Sequence, residues 1–162
     1  MFYVDLFAAL DRHQVNYLLI GGLAVSLHGV ERATMDVDIT VAMNPGNLAA
    51  LIATAMELQL TPILPVKLES LSDIELLRDW HTHRNLEVFA MRTPELAGVT
   101  IDVLLFPPVD FSGMADRAVT FHVADTPIKV VAIDDLISLK NAVKRPIDLS
   151  DIEHLQRVKS TC

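Results

Sequence analysis

Two aspartates in an otherwise apolar segment most constrain what this chain can fold into. In Asp36-Val37-Asp38-Ile39 the acids alternate with hydrophobic residues, a pattern typical of a β-strand. Residues i and i+2 of a strand point to the same face, about 7 Å apart. Two carboxylates on one face repel each other unless a cation lies between them, so the pattern predicts a metal site.

A glycine pair precedes these acids. Gly21-Gly22 ends an apolar run and opens a short helical segment, with thirteen residues between the pair and Asp36. A glycine turn that leads into a helix N-terminus is a natural cradle for phosphate. Metal-binding carboxylates beside a phosphate cradle indicate phosphoryl or nucleotidyl transfer.

A third acid stands in a later apolar strand. Asp102 is the single charged residue of the segment Ile101-Asp102-Val103-Leu104-Leu105-Phe106. A transfer that uses two metal ions needs a third carboxylate for the ion that activates the attacking hydroxyl, and a neighbouring strand has to supply it. Each acid alone is compatible with an ordinary surface position, but the three together form a specific pattern.

Helix-like and strand-like patterns alternate along the chain and predict a single α/β domain over residues 1–162, with a mixed β-sheet flanked by helices. Asp134 and Asp148 are the expected N-caps of the last two helices, and Asp151 fits a first-turn acid. Segment 61–84 has no readable pattern. We expect strands at 17–20, 36–42, 86–91, 99–105, 119–123 and 128–131, and helices at 3–13, 23–28, 48–58, 134–143 and 149–158.

Composition limits the environment and the partners. The net charge of −8 argues against a molecule whose whole surface binds nucleic acid. The hydrophobic content of 51% indicates that a partner protein or a second copy covers some apolar surface. The single cysteine, Cys162, excludes a disulfide framework and favours a reducing compartment. Because neither a signal-peptide pattern nor a membrane-spanning run is visible, we expect a cytoplasmic protein without a membrane partner.

These motifs resemble the nucleotidyltransferase superfamily related to DNA polymerase β. The family pattern is a hydrophobic residue before Gly-Gly or Gly-Ser, then an acid-hydrophobic-acid strand, and later a hydrophobic-acid-hydrophobic strand. Segments 19–36, 136–140 and 145–152 are similar, more narrowly, to a small bacterial branch. That branch holds abortive-infection AbiEii-type proteins, minimal nucleotidyltransferases of toxin–antitoxin pairs and some antibiotic nucleotidyltransferases.

The resemblance implies the nucleotidyltransferase fold and transfer of a nucleoside monophosphate from an NTP to a hydroxyl. It implies that Asp36 and Asp38 ligate two metal ions, Mg²⁺ or Mn²⁺, and that Asp102 ligates the catalytic ion and helps to take the proton of the acceptor. Backbone N–H groups at Gly21 and Gly22 would hold the β- and γ-phosphates.

Further residues are candidates for nucleotide binding. Gly22 stands where many active members of the family have serine, so Ser26, one turn further on, is a candidate for the missing hydroxyl. The resemblance places Lys140 facing the nucleotide, although a solvated surface lysine is the alternative. Arg32, in the loop before the metal strand, is either a phosphate contact or an ordinary loop residue. Arg145 either assists Lys140 or complements a helix dipole.

Two functions stay open at this point. The first is a metal-dependent nucleotidyltransferase whose acceptor is a protein side chain, an RNA 3′ end or a small molecule. The net charge disfavours RNA and the small size disfavours a deep drug pocket, so a partner protein is favoured, as in a toxin–antitoxin or phage-defence system. The alternative is a catalytically inactive nucleotide-binding or antitoxin-type module of the same fold, which the missing serine favours and the intact acids oppose. A phosphatase or nuclease would leave the glycine turn without a role.

Overall fold

A seven-stranded mixed sheet forms the centre of the protein, whose computed structural model describes residues 2–95 and 98–161. The spatial order of the strands is β3-β4-β5-β2-β1-β7-β6. Strand β2 is antiparallel to β1 and parallel to β5, and β1 is parallel to β7. The strands are β1 (Tyr17–Ile20), β2 (Val37–Val41), β3 (Thr61–Pro62), β4 (Val88–Arg92), β5 (Thr100–Leu104), β6 (Val119–Val123) and β7 (Thr126–Val130).

Helices cover the sheet, which confirms the predicted α/β class. Helix α1 packs against β7 and α3, α2 packs against β1 and β2, and α6 packs against α7. Among the described residues the helices are α1 (Phe2–Arg12), α2 (Gly21–Leu27), α3 (Pro45–Glu57), α4 (Ile74–Arg84), α5 (Phe111–Arg117), α6 (Ile133–Val143) and α7 (Pro146–Ser160), with a 3-10 turn at Leu68–Ser72. No described helix has both the length and the apolar character that a membrane crossing requires. Cys162 lies outside the described residues.

The two strands that carry the acids lie side by side at the centre of the sheet. Val37, Ile39 and Val41 of β2 are buried, and removal of each such side chain from water contributes about 1.5–3 kcal/mol. Asp38 lies on the opposite face of β2, in register with Asp102 of β5. Burial of one strand face therefore turns both acids towards the other face.

The N-caps predicted for the last two helices are wrong. Helix α6 begins at Ile133 after Ala132, and no side chain caps it, so Asp134 lies inside the first turn. Helix α7 begins three residues earlier than predicted, because Pro146 occupies its first turn, where proline has no N–H to satisfy. Its N-cap is Arg145, and the Asp148 carboxylate accepts a hydrogen bond from the Arg145 backbone N–H at 3.1 Å.

The region with no readable pattern contains β3, the 3-10 turn and α4, and the sequence also failed to predict α5. Both helices have an aspartate N-cap that sequence reasoning overlooked. The Asp73 carboxylate accepts from the Leu76 N–H at 3.0 Å, and the Asp110 carboxylate accepts from the Gly113 N–H at 3.1 Å. Their short apolar stripes were too weak to reveal helices on their own.

The hairpin of β6 and β7 was predicted, but β7 begins two residues earlier than expected. Ala124 and Asp125 have φ of +49° and +65°, which a two-residue hairpin turn requires. Pro127 lies inside β7, opposite His122. Proline lacks a ladder donor and is therefore unusual inside a strand.

Candidate active site

The three aspartates line one cleft of about 390 Å³. Asp38 and Asp102 are half-buried neighbours on adjacent strands, whereas Asp36 is exposed and lies one residue before β2. The glycine turn lines the same cleft, and so do Arg32, Lys140 and Arg145. The cleft thus has a wall of acids, Asp36, Asp38 and Asp102, called the acid wall below, and an opposing set of cations.

The acid wall is electrostatically unfavourable on its own. Burial, followed by the charges of Asp102 and Asp36, raises the pKa of Asp38 to about 7. Burial and the charge of Asp36 also raise the pKa of Asp102, although a hydrogen bond with Asp38 opposes this increase. With a pKa of about 7, Asp38 is partly protonated near neutral pH.

This donor set fits a divalent cation of the Mg²⁺ class. Among the residues that the structure describes, no three His, Cys, Asp or Glu side chains already stand in metal-ligating geometry. Asp38 and Asp102 are nevertheless within hydrogen-bond reach, and hard cations of this class prefer carboxylate oxygens. A cation bound between the two carboxylates would offset their repulsion and make the protonation of Asp38 unnecessary.

Gly21 fits the turn for two independent reasons. Its φ is +72°, in the left-handed region that glycine adopts without strain. A Cβ atom at this position would also overlap the Asp38 carboxylate. The turn therefore brings backbone directly against the acid wall. Since α2 has only seven residues, its dipole supplies little positive charge compared with the cationic side chains opposite.

Arg32 lies beside the second glycine and forms an ion pair with Asp151 through Nε alone. Its Nε atom donates to the two carboxylate oxygens of Asp151 at 2.9 and 3.1 Å. Its Nη1 atom donates to the Ala33 carbonyl at 3.0 Å. A Cβ atom on Gly22 would lie 2.8 Å from Arg32 Nη1, so the guanidinium occupies the space next to the glycine turn.

Lys140 is buried in the cleft wall with 6% of its surface exposed, rather than solvated at the surface. Its ammonium donates to Asp151 at 2.9 Å and lies 3.5 Å from an oxygen of Asp148. Arg145 donates to Asp148 through Nε at 2.8 Å and Nη2 at 3.2 Å. Burial raises the pKa of Asp148, but the hydrogen bonds from Arg145 outweigh it and hold this pKa below its usual range.

Sequence reasoning did not assign Asp148 and Asp151 to the site. Both are buried and form ion pairs with Arg32, Lys140 and Arg145, and these five residues are called the paired wall below. The sequence did contain an indication of this role. Asp148 and Asp151 lie one helical turn apart, and they follow Lys140 at a separation that lets two consecutive helices bring the three side chains together. Their fit to a helix N-terminus obscured it.

The structure does not bring Ser26 into the cleft lining. Its hydroxyl donates to backbone carbonyls, at 2.8 Å to Arg32 and at 3.2 Å to Gly22. Ser26 therefore fixes the loop that carries Arg32, and the hydroxyl expected to replace the missing serine is already engaged.

Comparison with known proteins identifies the fold. No protein-family profile matches the chain, and no curated protein matches it. Among solved structures, the lincomycin-bound lincosamide antibiotic adenylyltransferase LnuA is similar with a TM-score of 0.58 at 15% identity, over 97% of this chain and 94% of that one. The aminoglycoside enzyme ANT(2″)-Ia, in complex with adenylyl-2″-tobramycin, is similar with a TM-score of 0.54 at 14% identity, over 99% and 97%.

A third similar structure is an antigenic nucleotidyltransferase-like protein from Paracoccidioides brasiliensis. Its TM-score is 0.58 at 16% identity, over 94% of this chain and 72% of that one. Identities this low show the fold alone. The chain therefore has the fold that these nucleotidyltransferases share, as its acid strands and glycine turn predicted.

Proposed function

We propose that this protein is a metal-dependent nucleotidyltransferase, which transfers a nucleoside monophosphate from an NTP to a hydroxyl acceptor. The observation that carries the proposal is the placement of Asp36, Asp38 and Asp102. Asp38 and Asp102 lie in register on two parallel strands, Asp36 immediately precedes the first of them, and all three line one cleft with the glycine turn. The raised pKa of Asp38 supports it, because a carboxyl that retains a proton for lack of a cation is a natural cation ligand.

Asp36, Asp38 and Asp102 would hold Mg²⁺ or Mn²⁺. When bound, the ions supply charge compensation for the triphosphate and lower the pKa of the acceptor hydroxyl. The three carboxylates must be fully ionised to bind them, so cation binding releases the proton that Asp38 keeps near neutral pH.

The remaining steps belong to the side chains of this chain. Arg32, Lys140 and Arg145 place positive charge opposite the acid wall, where it would bind the β- and γ-phosphates. Asp102 accepts the proton of the acceptor hydroxyl. A bond forms between the acceptor oxygen and the α-phosphorus, the bond from that phosphorus to the bridging oxygen breaks, and pyrophosphate leaves with the electron pair.

The acceptor in this proposal is a protein, in a toxin–antitoxin or phage-defence system of the AbiEii type. Exposed apolar side chains at the cleft support it: Met35, next to Asp36, is 74% exposed, and Val143, which lines the cleft, is 60% exposed. Large exposed apolar side chains beside a cleft are typical of protein-binding surfaces. The small-molecule acceptors of the similar antibiotic adenylyltransferases are the competing outcome of the test below.

Labelling with α-³²P-NTPs tests the proposal. The purified protein is incubated with Mg²⁺, each NTP in turn, and a lysate of the source cells, and the products are treated with protease or ribonuclease. We expect protease-sensitive label with the wild type and none with Asp36→Asn. Asp79→Asn, an exposed acid outside the cleft, serves as the matched control and should label normally. Equal labelling by Asp36→Asn would contradict the site.

The form of the product distinguishes the alternatives. Ribonuclease-sensitive label would replace the protein acceptor by RNA, and label in a small product would indicate a drug-like acceptor. Binding of Mg²⁺ and NTP without transfer would identify the catalytically inactive nucleotide-binding or antitoxin-type module instead.

A further inference from the structure

The space beside Gly22 is filled by an arginine from a distant loop. A Cβ atom at position 22 would meet Arg32 Nη1 at 2.8 Å, Arg32 Cζ at 3.1 Å and Thr34 Cβ at 3.2 Å. The absence of a side chain at position 22 therefore leaves room for the guanidinium. A serine side chain at position 22 would compete with the Arg32 guanidinium for the same space.

A single carboxylate holds this arginine in place. Asp151 is 2% exposed and accepts hydrogen bonds from Arg32 Nε and from Lys140 Nζ, each at 2.9 Å on a different oxygen. Arg32 comes from the loop before β2, Lys140 from α6 and Asp151 from α7. The Ser26 hydroxyl bonds to the Arg32 carbonyl at 2.8 Å and fixes the backbone of the same residue.

We propose that Asp151 is a positioning residue, which sets two cations at once: the Arg32 guanidinium in the space that Gly22 leaves open, and the Lys140 ammonium in the cleft wall. This inference rests on the proposed function, because the cations are set to bind the phosphates of an NTP. The glycine turn of this chain thus uses a guanidinium where a serine turn would use a hydroxyl. Gly22 and Arg32 are called the matched pair below, because the arginine occupies the space that the missing side chain leaves.

The molecule provides a matched control for the ion pair. Arg117 and Asp135 form a second ion pair between an arginine and a buried aspartate, in which Nε donates to Oδ2 and Nη2 donates to Oδ1, each at 2.9 Å. This pair joins α5 to α6 and does not line the cleft. A purely structural role for Asp151 would make Asp135→Asn and Asp151→Asn equivalent.

The first test is calorimetry with Mg²⁺ and each of the four NTPs, compared with the corresponding monophosphate. A charged hydrogen bond of this kind corresponds to about tenfold or more in affinity. We expect Asp151→Asn and Arg32→Gln each to weaken NTP binding about tenfold, to leave monophosphate binding nearly unchanged, and to be non-additive when combined. Arg32→Lys should restore part of the loss, and Asp135→Asn should bind NTP like the wild type.

The second test is a double-mutant cycle on the matched pair, which keeps the inference testable in the event that Asp151→Asn does not fold. We expect Gly22→Ser to weaken NTP binding about tenfold in the wild type, and not to weaken it in an Arg32→Ala background. Gly46→Ser, in the exposed first turn of α3, controls for the effect of serine at a helical glycine, since among the described residues only Asn44 Oδ1, at 3.7 Å, would lie near its Cβ.

The outcomes separate the two proposals. A wild type that binds no NTP overturns the proposed function together with this inference. NTP binding by the wild type, combined with an unaffected Asp151→Asn or with additive Gly22 and Arg32 effects, overturns the positioning role alone.

Discussion

In the part of the chain that the structure describes, the charges of the acid wall have no counter-charge, whereas those of the paired wall are joined in ion pairs. Among residues 2–95 and 98–161, none of Asp36, Asp38 and Asp102 forms an ion pair, and burial and the neighbouring acids raise the pKa of Asp38 to about 7. In the paired wall each cation has a carboxylate partner within 3 Å. The difference indicates that the acid wall depends on a cation from solution, whereas the paired wall is already satisfied and holds its side chains in fixed positions.

The largest effect should come from breaking the paired wall. Lys140→Met leaves the buried Asp151 with one partner and Asp148 without its ammonium neighbour, so we expect the free energy of unfolding to fall by about 3–5 kcal/mol. Urea denaturation measures it. Lys159→Met is the matched control, since its ion pair with Asp134 is exposed and should contribute less than about 1 kcal/mol. Equal losses in both variants would contradict the distinction between buried and exposed pairs.

The acid wall should show the opposite behaviour when it is neutralised. We expect Asp38→Asn to reduce transfer by about 10²–10³-fold, because a group that stabilises transition-state charge is lost. The same variant should unfold at a higher urea concentration than the wild type at pH 8, because a buried charge and its repulsion with Asp102 disappear. Loss of stability together with loss of transfer would show that Asp38 is structural.

The smallest expected effect is a pH dependence of the free energy of unfolding, which comes from Asp38. The pKa of Asp38 rises from 3.8 to about 7 on folding, so the folded state binds more protons than the unfolded state between these values. The contribution of Asp38 therefore lowers the free energy of unfolding as pH rises from about 4 to about 7, and changes little above that.

Melting temperatures of the wild type and of Asp38→Asn, measured across this pH range, isolate the contribution as a difference. Mg²⁺ should raise the melting temperature of the wild type most at pH 8, where the carboxylates are ionised and cation binding stabilises the folded state by mass action. A difference that does not vary with pH would contradict the raised pKa.

The acid strands and the glycine turn could be predicted because they depend on local pattern. The alternation around Asp38 and around Asp102 specifies which side chains share a face, and burial of the valines and isoleucines then fixes which face is open. The requirement for a third carboxylate predicted that Asp102 lies on a strand next to β2. The parallel direction and the register of the two acids could not be predicted, since they depend on the packing of the whole sheet.

The helix start near Asp148 was predicted less well, because it too depends on tertiary contacts. A carboxylate near a helix start is compatible with an N-cap, with a first-turn charge and with a buried ion pair, and the sequence does not distinguish them. Tertiary contact decided in favour of the ion pair, because Lys140 is buried and needs a partner.

The sequence by itself determined the three acids, the glycine turn and the class of fold, because strand periodicity and glycine conformation act over a few residues. Only the tertiary structure decided the partner of each charge. Arg32 and Asp151 are 119 residues apart in the chain, and their contact places a guanidinium beside position 22. A buried charge takes whichever counter-charge the fold brings within 3 Å, and no local pattern encodes that distance.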